Sequence, residues 1–324
     1  MDETWKDFKH LVLGSSKVFG RAISLRLRIL LPRMGKHVRR ITFQTSVHSE
    51  YLFLIGRYCP RIERIDLNVG LLNEQLHMIG VKFGHTLTHI YFHKTFSDQE
   101  LVLEKLFFRA SRLKSVQFSK FCEVLGACLK GLHGETLETL VLPKNEALKT
   151  EWIYLVLTDL INLKRLSLAG CDLRMGDCMD DLAEMRSLDL SQVSAPSQVL
   201  CCVEQMPLLV DLDLSRAGVL DESVFESIAE CKFLRILNLE DASDVTDQCL
   251  LQLQHLSLLE YLNLSGIETI TAPTTVKVLM RLKNLRVVGI QCRSFPVQIA
   301  HYVARNLPWI EAVACFSING SNLQ

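Results

Sequence analysis

The sequence predicts an α/β solenoid of about twelve strand–turn–helix repeats with a parallel sheet on its concave side, and three observations predict it. A short aliphatic motif returns along the chain at a nearly constant interval. Inside the motif apolar residues alternate with period two, and between motifs the period becomes that of a helix. The composition also suits an ordered, well-packed chain, with 48% hydrophobic residues and only 16 Gly and 8 Pro in 324. That length would ordinarily suggest two globular domains, but a repeat stack has no single-core size limit.

The motif is LxxLxL, with other aliphatics or Phe allowed. It begins at Val38, Ile62, Leu87, Leu113, Leu137, Leu163, Met185, Leu209, Leu234, Leu259, Leu285 and Ile310, at intervals of 22 to 26 residues. The clearest copies read LKRLSLAGC, LVDLDLSRA, LRILNLEDA and LEYLNLSGI, whereas the first and last, VRRITFQTS and IEAVACFSI, are degraded, as repeats facing water on one side should be. The LxL alternation marks a short strand with one buried face. The intervening segments NEQLHMIGVKF, ELVLEKLFFRA, EWIYLVLTDLI, DESVFESIAEC and TDQCLLQLQHL place aliphatics at i, i+3, i+4 and i+7 and read as helices. Ser97-Asp98-Gln99-Glu100 and Thr246-Asp247 supply N-capping signals. A helix is about 10 Å across and a paired strand about 4.8 Å, so helices outside and strands inside should make the stack curve. The leucine-rich-repeat solenoid is expected over residues 38–315, with a basic helical cap at 1–37 and a tail at 316–324.

The formal net charge is zero, but 23 of the 36 basic residues and 16 of the 36 acidic ones fall in residues 1–162. A basic N-terminal half and an acidic C-terminal half make the molecule electrically polar along its length; the basic end reads as a partner surface or a solvated face, and direct nucleic-acid binding is not expected. The 11 cysteines form no CxxC pair and no Cys/His group at zinc spacing; Cys201 and Cys202 are adjacent and read as packing. Free thiols point to a reducing compartment, and with no signal-peptide core and no run of about 18 apolar residues the expected location is cytoplasm or nucleus. Trp5, Trp152 and Trp309 read as core or cap residues.

The stretch LRILNLEDASDVTDQCLLQLQHLSLLEYLNLSG resembles the cysteine-containing leucine-rich repeat, in which LxxLxLxxC leads into an I/V-T-D helix start and a closing C-P-x-L. Cys171 stands in the first Cys position, and Cys59-Pro60-Arg61-Ile62 and Cys231-Lys232-Phe233-Leu234 stand in the closing one. That subfamily is similar to the repeats of F-box proteins. Thr4-Trp5-Lys6-Asp7-Phe8 also resembles the tail of an F-box, which makes an F-box remnant the alternative to a basic cap at 1–37, although the adaptor-binding helices of a complete one do not precede it here. The resemblance implies a substrate-recognition subunit of an SCF-type cullin-RING ubiquitin ligase. A Skp-type adaptor and a cullin are its implied partners if an F-box lies upstream. The alternative is a stand-alone scaffold or inhibitor that binds a protein without a ligase.

In LxxLxL the residue between the last two aliphatics should face the concave surface. In this column Tyr91, Asp189, Asp213, Asn238 and Asn263 are candidate contacts, with Asp211, Glu240 and Tyr261 beside them. The functional reading is an acidic patch that receives Lys or Arg from a partner. The structural reading is that Asp and Asn sit there because the face is wet. A second zone, Arg40, Arg64, His89, Tyr91, His93 and Arg165, is rich in the Arg and aromatic residues that dominate interfaces. His89 and His93 are expected on one strand face, without a third ligand that would make a metal site. Asp177, Asp180 and Asp181 lack the glycine-turned loop of a calcium site and read as a solvated helix start. GxSxG, GxxxxGK[ST], HExxH and GxGxxG are absent, so neither an enzyme nor a cofactor is expected.

Overall fold

The computed structural model describes residues 7–14, 21–45, 48–145, 147–173, 182–291 and 297–314. Trp5, the aspartates at 177, 180 and 181, and the tail lie outside them. The chain divides into two compact units, Met1–Leu163 and Lys164–Gln324.

The first unit runs β1 (His10–Leu13), α1 (Arg21–Met34), β2 (Arg40–Phe43), α2 (Ser49–Tyr58), β3 (Arg64–Leu67), α3 (Asn73–Phe83), β4 (His89–Phe92), α4 (Glu100–Arg109), β5 (Ser115–Phe118), β6 (Thr139–Val141) and α5 (Thr150–Leu157). All six strands are parallel and pair in sequence order. The register places Ile41, Ile65, Ile90, Val116 and Leu140 side by side, each 2% exposed or less. Burying such a side chain is worth about 1.5–3 kcal/mol, and each is covered by its counterparts in the repeats before and after it. Behind the strands Phe92 stacks on Phe118 at 4.9 Å, and Phe107 of α4 meets both rings edge-on.

The strand β1 precedes the first expected motif. Phe8, Leu11 and Leu13 satisfy the same spacing, but 30 residues separate Phe8 from Val38, outside the interval of the other repeats. The resemblance of Asp7-Phe8 to the end of an F-box therefore overlaps residues that lead directly into a strand.

The second unit runs β7 (Arg165–Ser167), β8 (Ser187–Asp189), α6 (Ser197–Leu200), β9 (Asp211–Asp213), α7 (Glu222–Glu230), β10 (Ile236–Asn238), α8 (Asp247–Gln252), β11 (Tyr261–Asn263), α9 (Ala272–Leu279), β12 (Val287–Gly289), α10 (Val297–Asn306) and β13 (Ala312–Ala314). Again every neighbouring pair is parallel. Leu166, Leu188, Leu212, Leu237, Leu262 and Val288 form its buried column, with exposures of 0–1%. These two stacks of parallel strands backed by helices are the leucine-rich-repeat architecture expected from the spacing.

The strands here are three residues long, yet after β7 to β11 the ladder continues through a left-handed residue three positions past the strand. Gly170, Gln192, Arg216, Asp241 and Gly266 all have positive φ, between 51° and 80°. Their amides donate to Ser191, Ser215, Glu240, Ser265 and Gln291 carbonyls at 2.7–2.9 Å. This turn aims the amide at the following repeat, and the non-glycine residues hold it at a cost of about 1–2 kcal/mol each.

Of the two expected caps, Thr246 performs the role, its Oγ1 accepting from the Cys249 amide at 3.3 Å. Ser97 and Asp98 do not. They lie in a 3-10 turn ahead of α4, and the Glu100 carboxylate reaches forward to accept the Leu125 and Cys128 amides of the next repeat at 2.7 Å each. Cys59, Cys128 and Cys231 are buried free thiols, and burial pushes Cys59 and Cys231 up to about 12, so they remain protonated packing groups. Trp152 and Trp309 lie against lysines of the preceding repeat, with Lys130 Nζ and Lys283 Nζ 4.0 and 3.9 Å from their ring centres.

A charge in the buried column should propagate, because each repeat is stabilised only by its neighbours. Leu212→Asp is therefore expected to lower the thermal midpoint and lose the cooperative transition of the repeats around β9, followed by circular dichroism. A melt identical to wild type would contradict the nearest-neighbour arrangement.

Candidate functional site

On the sheet face turned away from the helices, alternate residues of each strand project in two rows. In the first unit the register aligns Arg40, Arg64, His89, Ser115 and Thr139 in one row, and Thr42, Asp66, Tyr91, Gln117 and Val141 in the other. The two arginines are not free. Asp66, only 4% exposed, accepts Arg40 Nε at 2.6 Å, Arg64 Nε at 3.1 Å and Thr42 Oγ1 at 3.2 Å. His10 joins the network through a 2.8 Å contact between Nε2 and Thr42 Oγ1. Burial and then Arg40 hold the His10 imidazole below its ordinary value, so it is mainly neutral at neutral pH. His89 is lowered by burial first, then by Arg64 and Lys114, and contacts Thr88 Oγ1 at 2.8 Å. The expected basic zone is thus an ion-paired network organised by Asp66. Its carboxylate stands in the same column of the repeat as the acidic candidates, and its two arginine partners lie in the other row.

Two placements bear on this zone. His93 lies one residue beyond β4, its amide still donating to the Leu67 carbonyl at 2.8 Å, and its ring packs on Phe121 with ring centres 5.1 Å apart. Arg165 belongs to the second unit, in the same row as Ser187 and Asp211 and two strands from the latter. It borders the acidic candidates rather than extending the arginine network.

In the second unit Ser167, Asp189, Asp213, Asn238, Asn263 and Gly289 share one row, and Arg165, Ser187, Asp211, Ile236, Tyr261 and Val287 the other. The Asp and Asn side chains recur for a reason beyond exposure. Asp189 Oδ1 accepts the Ser191 amide and hydroxyl at 3.1 and 2.7 Å, and Asp213 Oδ1 does the same with Ser215 at 2.9 and 2.6 Å. Asn238 and Asn263 accept the Glu240 and Ser265 amides at 3.2 and 3.1 Å. Each is an Asx turn that closes the strand and leads into the left-handed residue described above.

The second oxygen or the amide nitrogen of these side chains reaches sideways. Ser167 Oγ donates to Asp189 Oδ2, Asn238 Nδ2 to Asp213 Oδ2, and Asn263 Nδ2 to Glu240 Oε2, at 2.8, 3.0 and 3.3 Å. Asp211 accepts Ser187 Oγ at 3.0 Å. All these donors are neutral, so none of them supplies a counter-charge. Among the described residues no salt bridge reaches Asp189, Asp211 or Asp213, whereas Arg216 pairs with Glu240 and Asp241. Neighbouring strands are about 4.8 Å apart, which concentrates three carboxylates on a rigid surface. Tyr261 senses them, its phenol raised by burial first and then by Glu240 and Asp213.

With this geometry the chain can be set beside known proteins. The Rad7 chain of the crystal structure of the yeast Rad7 and Elc1 complex matches it with a TM-score of 0.59 at 16% identity, covering 89% of this chain and 79% of that one. The crystal structure of an internalin, InlF, from Listeria monocytogenes matches with a TM-score of 0.58 at 13% identity, covering 93% and 95%. No protein-family model matches the chain. No curated protein sequence matches it either. The chain has the leucine-rich-repeat fold.

Removing the Asp66 charge should expose its role. Asp66→Asn keeps the shape but leaves two guanidinium groups side by side without a counter-charge, and is expected to cost about 1–3 kcal/mol, read by denaturant unfolding. A variant as stable as wild type would show that the arginines do not depend on Asp66.

Proposed function

We propose that this chain is a protein-binding receptor whose partner docks on the open sheet face, with Asp189, Asp211 and Asp213 receiving a Lys- or Arg-bearing segment. The observation that carries this reading is three carboxylates held by neutral hydrogen bonds with no cation beside them among the described residues. Asn238, Glu240, Tyr261 and Asn263 continue the same surface, and Arg165 lies at its other side as a potential contact for an acidic residue of the partner. In the first unit Tyr91 and His89, beside the Arg40–Asp66–Arg64 network, offer an aromatic contact of the kind that anchors interfaces. Binding rather than catalysis is also the reading that suits the motif content of the chain.

Within that class we favour a substrate-recognition subunit of a cullin-RING ubiquitin ligase over a stand-alone scaffold. The resemblance of the cysteine-containing repeats supports it, as does the fold likeness to Rad7, a protein whose structure was solved in complex with Elc1. Both partner classes are proteins. No helix among the described residues is long and apolar enough to cross a membrane.

Purification of the tagged full-length protein from its native cells tests both levels. A Skp-type adaptor and a cullin should co-purify with it, together with a partner whose capture weakens in added salt. Asp211→Asn with Asp213→Asn keeps the Asx turn while removing charge, and is expected to lower capture of that partner about tenfold or more. Adaptor and cullin absent from the complex would overturn the ligase assignment and favour the scaffold. Partner capture indifferent both to salt and to the double substitution would remove the acidic row from the interface.

A further inference from the structure

Beyond the ends of three successive strands of the first unit lies a cavity of about 650 Å³, lined by side chains that the sheet-face reading does not use. Its walls include His93 and Lys94 after β4, Lys120 and Phe121 after β5, and Lys144 after β6. The register explains the cluster. Ile90, Val116 and Leu140 are aligned across β4, β5 and β6, and each lysine stands four residues further on in its own repeat. Adjacent strands are about 4.8 Å apart, so the three lysines leave the backbone within a span of about 10 Å.

Several contacts prepare this site. Lys94 Nζ lies 5.0 Å from the Phe96 ring centre and Lys120 Nζ lies 5.3 Å from that of Phe121, so aromatic faces support the cations without neutralising them. Among the described residues no salt bridge involves Lys94, Lys120 or Lys144, and the acidic residue on the cavity wall, Glu123, offers one charge against three. The floor is rigid. Asn145 is buried and holds both the amide and the carbonyl of Val124 through its side chain, at 3.3 and 2.6 Å.

We propose that this cavity receives a phosphorylated side chain of a partner protein. Three lysines lining one hollow match the several acceptor oxygens of a phosphate dianion better than the two of a carboxylate. Phe121, 53% exposed, provides the apolar surface beside it for the flanking peptide. A nucleic-acid strand is disfavoured because the basic column is short. The equivalent position after β3 is Val69, so successive phosphates would find no continuing track. This inference deepens the protein-receptor reading and rests on it, while using a different surface from the acidic row.

The test is fluorescence anisotropy with the full-length protein and three labelled probes: a degenerate peptide library with a fixed phosphoserine, its unphosphorylated counterpart, and a single-stranded oligonucleotide. The phosphorylated library is expected to bind about tenfold or more tightly than its counterpart, and Lys94→Gln with Lys120→Gln to remove that difference. Lys94→Arg with Lys120→Arg should retain it. Asp211→Asn with Asp213→Asn should leave it unchanged, so loss of the acidic interface and loss of the phosphate site are read separately. Circular dichroism melts verify that the lysine variants fold, and Lys120→Gln alone serves if the double variant does not. Equal affinity for the two libraries, a phosphate preference that survives both Lys→Gln changes, or tighter binding of the oligonucleotide than of the phosphorylated library would each overturn the proposal.

Discussion

A strand of three or four residues cannot hold its place by backbone pairing alone; here each does so because its central aliphatic side chain is buried between the same side chain of the strands beside it. Leu188, Leu212 and Leu237 illustrate the constraint, each 1% exposed or less and each aligned with the next. Their burial fixes the register, and a shift by one residue would carry every leucine out of the buried column onto the open face. The two projecting rows on the open face exist only as a by-product of that register. Functional chemistry can therefore vary in those rows without disturbing the stack.

The same constraint accounts for the polar groups that close each strand. Once the leucine following the strand is also buried, as Leu190 and Leu214 are, the chain must turn outward while its amides still face the next repeat. An Asx turn followed by a left-handed residue satisfies both demands, which is why Asp189, Asp213, Asn238 and Asn263 recur. The Asp189 and Asp213 carboxylates are structural through one oxygen, and among the described residues no cation pairs with them. Neither the purely wet-face explanation nor the purely functional one is sufficient, since the turn explains the residue type and the unpaired charge supplies the potential.

Much of this was legible in the sequence. Twelve motif positions predicted twelve strands, and the row assignments of Arg40, Arg64, His89, Asp211 and Tyr261 follow directly from period two within LxxLxL. What was not legible depended on partners distant in sequence or on where a strand stops. Asp66 lies 26 residues from Arg40, and nothing local shows that it binds both arginines. His93 falls just past the end of β4, a boundary that pattern alone does not set. The strand β1 carried the right spacing at Phe8, Leu11 and Leu13 but at the wrong interval. The lysine cluster was legible in principle, as three lysines at one repeat offset, but its meaning required the cavity between them.

The central claim is that nearest-neighbour burial of the aliphatic column carries the stability of every repeat. Native-state hydrogen exchange read by mass spectrometry tests it directly. The amides of Leu188, Leu212, Leu237 and Leu262, whose side chains are fully covered on both sides, are expected to be the slowest class of the second unit and to open together. Exchange there as fast as in the helix surfaces around Glu222 and Asp247, or independent opening of adjacent strands, would contradict it.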